Sequence, residues 1–294
     1  MSYQNIAIAG ATGNLGPAIV QSLVDAGFNV TILSQSGKTS NLPSAAKTVK
    51  VDYSSQESLI NALKNQDVFI STIPKHDAQP ALIDAAIAAG VKRFIPSEFG
   101  SNISGNAKTA ALPVFKGKGI TQEYLKRKAG EISYTLIVNG LFLDWGMQVG
   151  FSINLKGGPT RVFDGGDDKH STTLLSDIGK AVVGVLKHPE ETKNRAVYVQ
   201  STAVSQNELI EIAQKAKPGV KVERQDASIK QLLEDSHGNL EKGEVGAAMS
   251  GFIVASVFGD SKEYGNEWSE KNDNELLGVK ELTKEELEGL VAGL

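Results

Sequence analysis

Seven consecutive residues near the N-terminus, Gly10-Ala11-Thr12-Gly13-Asn14-Leu15-Gly16, carry the most readable chemistry in this chain. The apolar run 6–9 leads into them, and Leu15, Ile19, Leu23 and Ala26 follow at helical spacing. A strand, a glycine turn and a helix in that order make a cradle for a pyrophosphate. Gly10 permits the tight turn. Gly13 lets backbone N–H groups approach the phosphates, and Gly16 lets the helix pack closely on the strand. The helix N-terminus favours the negative charge, and Pro17 falls where its missing N–H costs little. The turn therefore predicts a bound nicotinamide dinucleotide, contacted by Gly10, Thr12, Gly13, Asn14, Leu15 and Gly16.

The next informative segment follows the second strand candidate, 30–33. A fold that binds NAD usually places Asp or Glu there, on the ribose 2′-OH. This chain has Ser34-Gln35-Ser36-Gly37-Lys38 instead. No carboxylate is present to repel a 2′-phosphate, and hydroxyls and an ammonium are available to receive one. Gln35, Ser36 and Lys38 thus point to NADP(H) rather than NAD(H). Thr72, Ile73 and Pro74, after the fourth strand, are expected beneath the adenosine and central ribose. Glu98 and Phe99 close the fifth strand beside the nicotinamide.

Tyr124-Leu125-Lys126-Arg127-Lys128 spaces a tyrosine and a lysine as an acid–base pair. Position argues against it. Ligands of a parallel sheet gather at the carboxyl ends of the strands, where the following helices begin. Tyr124 and Lys128 fall late in a helix and should face the opposite edge. Lys118 stands at the start of the same helix, on the ligand edge. A lysine there can act as acid or base if a dry pocket and the nicotinamide charge lower its pKa. It can equally hydrogen-bond the nicotinamide ribose. Phe142, Trp145, Met147 and Phe151 are candidates to line an apolar substrate pocket. The four histidines are scattered, so no metal site is expected, and no serine elbow of a hydrolase is present.

The elements that position these residues alternate. Strands are expected at 6–9, 30–33, 48–51, 68–72, 93–96 and 135–138, with helices after the first, third, fourth and fifth and a polar loop at 97–112. That rhythm predicts an α/β, Rossmann-type doubly wound parallel sheet with right-handed crossovers. Beyond Leu141 the pattern loosens into a smaller mixed α/β region, with strands at 161–163 and 196–199 and a helix around Ile178. Ser205 with Glu208, and Thr283 with Glu286, read as capping boxes opening two further helices. Residues 1–150 are read as the dinucleotide-binding domain. Residues 151–294 form mainly a substrate-binding region, with some segments returning to the first. The acidic stretch with Glu267, Glu270, Asp273 and Glu275 is read as solvated surface.

Composition narrows the functional classes. The 294 residues carry a net charge of −4 and are 40% hydrophobic. A chain of that charge lacks the concentrated basic surface that nucleic acid demands. With no cysteine, disulfides, thiolate metal sites and a cysteine nucleophile drop out together. No apolar run is long enough for a membrane span, and no targeting segment is evident. A cytoplasmic protein, monomeric or homodimeric, with a small-molecule substrate is expected.

The spacing G-x-x-G-x-x-G with Ala-Thr-Gly inside it resembles the short-chain dehydrogenase/reductase superfamily. Further along come Ile70-Ser71-Thr72, Val91-Lys92-Arg93-Phe94-Ile95-Pro96-Ser97-Glu98-Phe99-Gly100, Tyr134-Thr135 and Asp177-Ile178-Gly179, in that order. Together they resemble the NmrA-like, isoflavone reductase-like branch of the atypical members. The resemblance spans nearly the whole chain and is weakest beyond Lys215. It implies NADPH-dependent hydride transfer to a small aromatic substrate. Phe115 and Lys118 match the family's Phe-x-x-Lys, which implies Lys118 as the catalytic lysine, without a neighbouring tyrosine. It also implies Phe142 at the nicotinamide, with Phe99, Phe142 and Trp145 as substrate contacts. Plant members carry Arg where this chain has Gln35, which shifts phosphate recognition to Ser36 and Lys38. The same resemblance allows a second class, a non-catalytic regulator that senses dinucleotide redox state, as NmrA-type members do. A broad quinone or aldehyde reductase is a third.

Overall fold

The computed structural model describes residues 3–39 and 41–294. Strands and helices alternate through the first half: β1 (Asn5–Ala9), α1 (Gly16–Asp25), β2 (Asn29–Ser34), β3 (Lys47–Lys50), α2 (Gln56–Leu63), β4 (Val68–Ser71), α3 (Gln79–Ala88) and β5 (Arg93–Ile95). A short α4 (Ala107–Ala110) interrupts the segment expected as loop, before α5 (Lys116–Lys128) and β6 (Ser133–Val138). Then come β7 (Leu141–Phe142), α6 (Leu143–Gln148), β8 (Gly158–Phe163), β9 (His170–Thr173), α7 (Leu175–Lys187), β10 (Arg195–Tyr198) and β11 (Thr202–Val204). The C-terminal part holds α8 (Gln206–Ala216), β12 (Val222–Ala227), α9 (Ile229–Glu241) and α10 (Val245–Phe258). It ends with α11 (Ser261–Tyr264), α12 (Asn274–Leu277) and α13 (Lys284–Gly293).

Seven strands form one parallel sheet in the order β10-β6-β5-β4-β1-β2-β3. Its two faces follow from the period-2 alternation of side chains along each strand. Ile6 and Ile8, with Ile32, Ile70, Ile95 and Ile137, bury one face against α1 and α7. Ala7 and Ala9, with Leu33, Phe69, Phe94 and Leu136, bury the other against α2, α3 and α5. Helices on both faces of a parallel sheet make it doubly wound. Strand order reverses between β1 and β4, and a crevice opens at such a switch point beyond the strands' carboxyl ends.

Arg93 on β5 is 1% exposed and, among the described residues, has no carboxylate partner within ion-pair distance. Its guanidinium donates to Ser133 Oγ (3.1 Å), Thr135 Oγ1 (3.2 Å), Thr192 Oγ1 (2.9 Å) and the Pro189 carbonyl (2.6 Å). It thus ties β5 and β6 to the turn that leads into β10. Arg93→Met is expected to lower stability by about 3 kcal/mol, through lost charge-assisted bonds and orphaned acceptors. Urea melts with an unchanged slope and an earlier midpoint would show it.

The second half is less regular. β11, β9 and β7 form a three-stranded sheet, and β12 pairs with β8 in parallel. β9 was not expected from the sequence, since His-Ser-Thr-Thr shows no apolar pattern. All four residues are nevertheless buried, and hydrogen bonds satisfy the hydroxyls, such as Ser171 Oγ to Gln200 Oε1 (2.6 Å) and Thr173 Oγ1 to the Asn139 carbonyl (2.6 Å). Helices α9 and α10 also lie where no element was expected, and with Phe163 and Phe115 they bury a separate core. Both expected capping boxes are present, at α8 and α13. Asp273 is not solvated surface: it binds Arg195 Nη2 (2.8 Å) and accepts from the Tyr198 N–H (2.8 Å).

Candidate active site

The glycine turn and the end of β4 meet at the switch point. Thr72 donates through its N–H (2.9 Å) and its hydroxyl (3.0 Å) to the Ala9 carbonyl. Gly10 has φ +83°, and a Cβ there would stand 2.5 Å from Thr72 Oγ1. A Cβ at Gly16 would stand 2.3 Å from the Ala11 carbonyl oxygen. Gly13 closes the turn by donating to the Gly10 carbonyl at 3.0 Å. Thr12, Gly13 and Asn14 are exposed on its rim. The Leu15 side chain turns into the core under the sheet, at 6% exposure, so only its backbone is left for a ligand.

A cleft of about 680 Å³ lies against this turn. It brings together six of the expected residues: Gly10, Thr12, Gln35, Ser36, Lys38 and Ile73. The loop after β2 is shaped by its own hydroxyls: Ser34 Oγ accepts from Gly37 N (3.1 Å) and Ser36 Oγ from Lys38 N (3.1 Å). Tyr53, Ser54 and Lys75 also line the cleft and were missed. Tyr53 follows β3 at the same sheet edge, and Lys75 extends the Thr72-Ile73-Pro74 loop, so the edge rule that selected their neighbours extends to them. The Tyr53 hydroxyl donates to the Leu33 carbonyl (2.9 Å), and burial pushes its pKa up to about 12. The arrangement fits a dinucleotide: a glycine turn at a helix N-terminus, an apolar wall, and the polar side chains of Ser36, Lys38 and Lys75 on the lining.

Lys118 lies outside that cleft, at the neighbouring strand ends. Its Nζ donates to the Glu98 carbonyl, just past β5, and lies 5.8 Å from the centre of the Phe115 ring. The main chain of Gly100 runs beside it and bridges to Val138 at the end of β6. Desolvation draws the Lys118 pKa below the ordinary lysine range, opposed by the Glu98 charge. Lys118 also stands in the first turn of α5, which holds no acidic residue. A cation there meets the positive end of the helix dipole. His76, from the turn before α3, packs on Gly117. Burial, then the Lys118 charge, lowers its pKa to about 4, so it is neutral at neutral pH. Nothing in the sequence distinguished His76 from the other scattered histidines.

Tyr124 and Lys128 are engaged elsewhere, with Asp84 Oδ1 (2.5 Å) and Glu131 Oε1 (2.9 Å). Phe142 and Trp145 come together edge to face, centroids 6.2 Å apart, and Phe99 and Phe142 pack half-buried on the same core. Met147 corrects the expectation of an apolar pocket lining. Met147 is 1% exposed in the core around α6 and α8, and Phe151 stacks on Phe258 at 5.7 Å. Each was drawn in by packing partners far away in the chain. Thr72 and Pro74 flank the cleft without lining it.

A doubly wound parallel sheet, with a glycine turn opening on a cleft at its switch point, defines a dinucleotide-binding protein. The NmrA-like family model matches residues 2–286. The oxidoreductase poxI of Penicillium oxalicum is 33% identical over 95% of this chain and 91% of its own length. The oxidoreductase aprR of Aspergillus flavus is 34% identical over 93% and 94%. The phenylcoumaran benzylic ether reductase Pyrc5 of Pyrus communis is 28% identical over 80% and 81%. Among solved structures, isoflavone reductase superposes with a TM-score of 0.77 at 21% identity, over the whole of both chains. The binary complex of leucoanthocyanidin reductase from Vitis vinifera with NADPH gives 0.76 at 22% identity, over 98% of each chain. The chain belongs to the NmrA-like family, on its isoflavone reductase-like side of NAD(P)-dependent reductases.

Proposed function

We propose that this chain is a cytoplasmic, NADPH-dependent reductase of a small aromatic substrate. The carrying observation is Lys118: a half-buried lysine at the carboxyl edge of the sheet, its Nζ held on the Glu98 carbonyl just past β5. A sensor needs the nucleotide fold but no proton donor. The NADPH of the leucoanthocyanidin reductase complex supports the cofactor, as do Ser36 and Lys38 with no carboxylate beside them. When bound, the dinucleotide supplies a hydride from its nicotinamide.

The chain's own residues do the rest. The backbone of Gly10 to Gly16 receives the pyrophosphate, Tyr53 and Ile73 wall the adenosine, and Ser36 and Lys38 take the 2′-phosphate. Phe99, Phe142 and Trp145 hold the substrate's aromatic surface and exclude water near Lys118. Lys118 donates the proton that balances the hydride. A pKa drawn below the ordinary lysine range makes that proton easier to release.

Thermal unfolding with NADPH, NADP+, NADH and NAD+ tests the cofactor assignment. NADPH at a hundred times its Kd is expected to add about 2.7 kcal/mol of stability. Lys38→Ala is expected to weaken NADPH about tenfold while leaving NADH unchanged, one charge-assisted contact being worth about 1.4 kcal/mol. Stabilisation by no dinucleotide overturns the reading. NADPH binding without oxidation across a panel of isoflavones, phenylcoumarans and quinones favours the sensor.

A further inference from the structure

Glu98 is 4% exposed, and its two ends do different things. Its carbonyl accepts from Lys118 Nζ, while its carboxylate Oε2 accepts from Gln122 Nε2 at 2.9 Å. Oε1 is buried and takes no hydrogen bond from the described residues. Lys118 and Gln122 are four residues apart on α5 and therefore share one face of that helix. That face grips Glu98 at two points. Gln122 Oε1 accepts from Ser104 Oγ (3.3 Å), which leaves the amide nitrogen to serve the carboxylate.

A half-satisfied buried carboxyl is costly, and an apolar side chain would join β5 to α5 at less expense. Among the described residues the opposite charge that acts on it is that of Lys118, whose Nζ sits on the carbonyl of the same residue. We propose that Glu98 is the positioning residue for Lys118: its carbonyl fixes where the ammonium sits, and its carboxylate supplies the counter-charge. The proposal rests on Lys118 being the proton donor. Burial raises the Glu98 pKa, while Lys118 and Gln122 oppose that rise. At Lys118 desolvation lowers the pKa and the Glu98 charge raises it. His76 faces Lys118 from the turn before α3 and is neutral at neutral pH. Lys116, on the same helix, is exposed. The charge that tunes Lys118 is therefore that of Glu98.

Competitive acetylation with acetic anhydride, read lysine by lysine by mass spectrometry across neutral and alkaline pH, needs no substrate. In the unmodified sequence Lys118 is expected to titrate below the exposed lysines. Glu98→Gln keeps the shape and the Gln122 contact but removes the charge. It should move the Lys118 titration further down by about one unit, giving about tenfold more labelling at neutral pH, with Lys116 unmoved. Glu98→Asp retains the charge and should restore most of the shift. If Glu98→Gln does not fold, Gln122→Leu removes the carboxylate's one donor and should shift Lys118 the same way by about threefold. A Lys118 titration that stays in place, or rises, in the variant that folds overturns the proposal. A titration that follows Glu98 while Lys118→Met turns over normally sinks the catalytic reading of Lys118 and leaves the coupling standing.

Discussion

Lys118→Met is expected to lower turnover roughly 100- to 10,000-fold, the usual contribution of a positioned general acid. NADPH affinity should fall far less than turnover, because Lys118 does not line the cleft at the glycine turn. The measurements are NADPH oxidation with a reduced aromatic acceptor and NADPH titration of the same variant. The pH profile gives a second check with a definite sign. As an acid, Lys118 works only while protonated, so kcat/KM should fall as pH rises through its pKa. Desolvation has lowered that pKa, so the fall should come below the ordinary lysine range. A profile flat through that region, or normal turnover in Lys118→Met, removes the lysine from the chemistry.

Gly10→Val should abolish cofactor binding and destabilise the fold by about 3 kcal/mol. Two separate effects add. At φ +83° a β-branched residue is strained by about 1–3 kcal/mol. Its Cβ would also press to 2.5 Å from Thr72 Oγ1 and 2.9 Å from the Thr72 carbonyl carbon, an overpacking cost of similar size. Relief requires the β1 and β4 ends to part, which opens the turn that cradles the pyrophosphate. Gly27→Val separates the two effects. Gly27 has φ +82° but nothing within 4 Å of its Cβ position, so only the strain remains. Equal losses in the two variants, with NADPH stabilisation intact in both, would show that the close approach at Gly10 does not shape the site.

On the proposed reading, cofactor binding and proton transfer fall at two neighbouring places on one sheet edge. The first follows from backbone geometry and tolerates varied side chains on the exposed loop after β2. The second depends on a local rule being broken. Lys116 and Lys118 begin α5 where acidic residues are favoured, and such inconsistencies collect at functional sites.

Much of this was legible in the chain itself. The alternation in β1 assigns Ile6 and Ile8 to one face and Ala7 to the other, because side chains alternate within a few residues. Ser205 with Glu208 and Thr283 with Glu286 announce their helices for the same local reason. The carboxyl-edge rule was enough to prefer Lys118 to the Tyr124–Lys128 spacing, since it needs only the order of strand and helix. Tertiary structure decided what depends on residues far apart. β10 joins the first sheet beside β6, 57 residues from Thr135 to the bonded Thr192 that precedes it. β9 is a buried strand of polar residues whose partners lie on other elements, so no periodicity marks it. Met147 and Phe151 belong to cores assembled from distant helices. Gln122 finds the Glu98 carboxylate across 24 residues. Local patterns record which residues lie at the carboxyl edge of the sheet, but burial and charge at that edge are set by packing between elements.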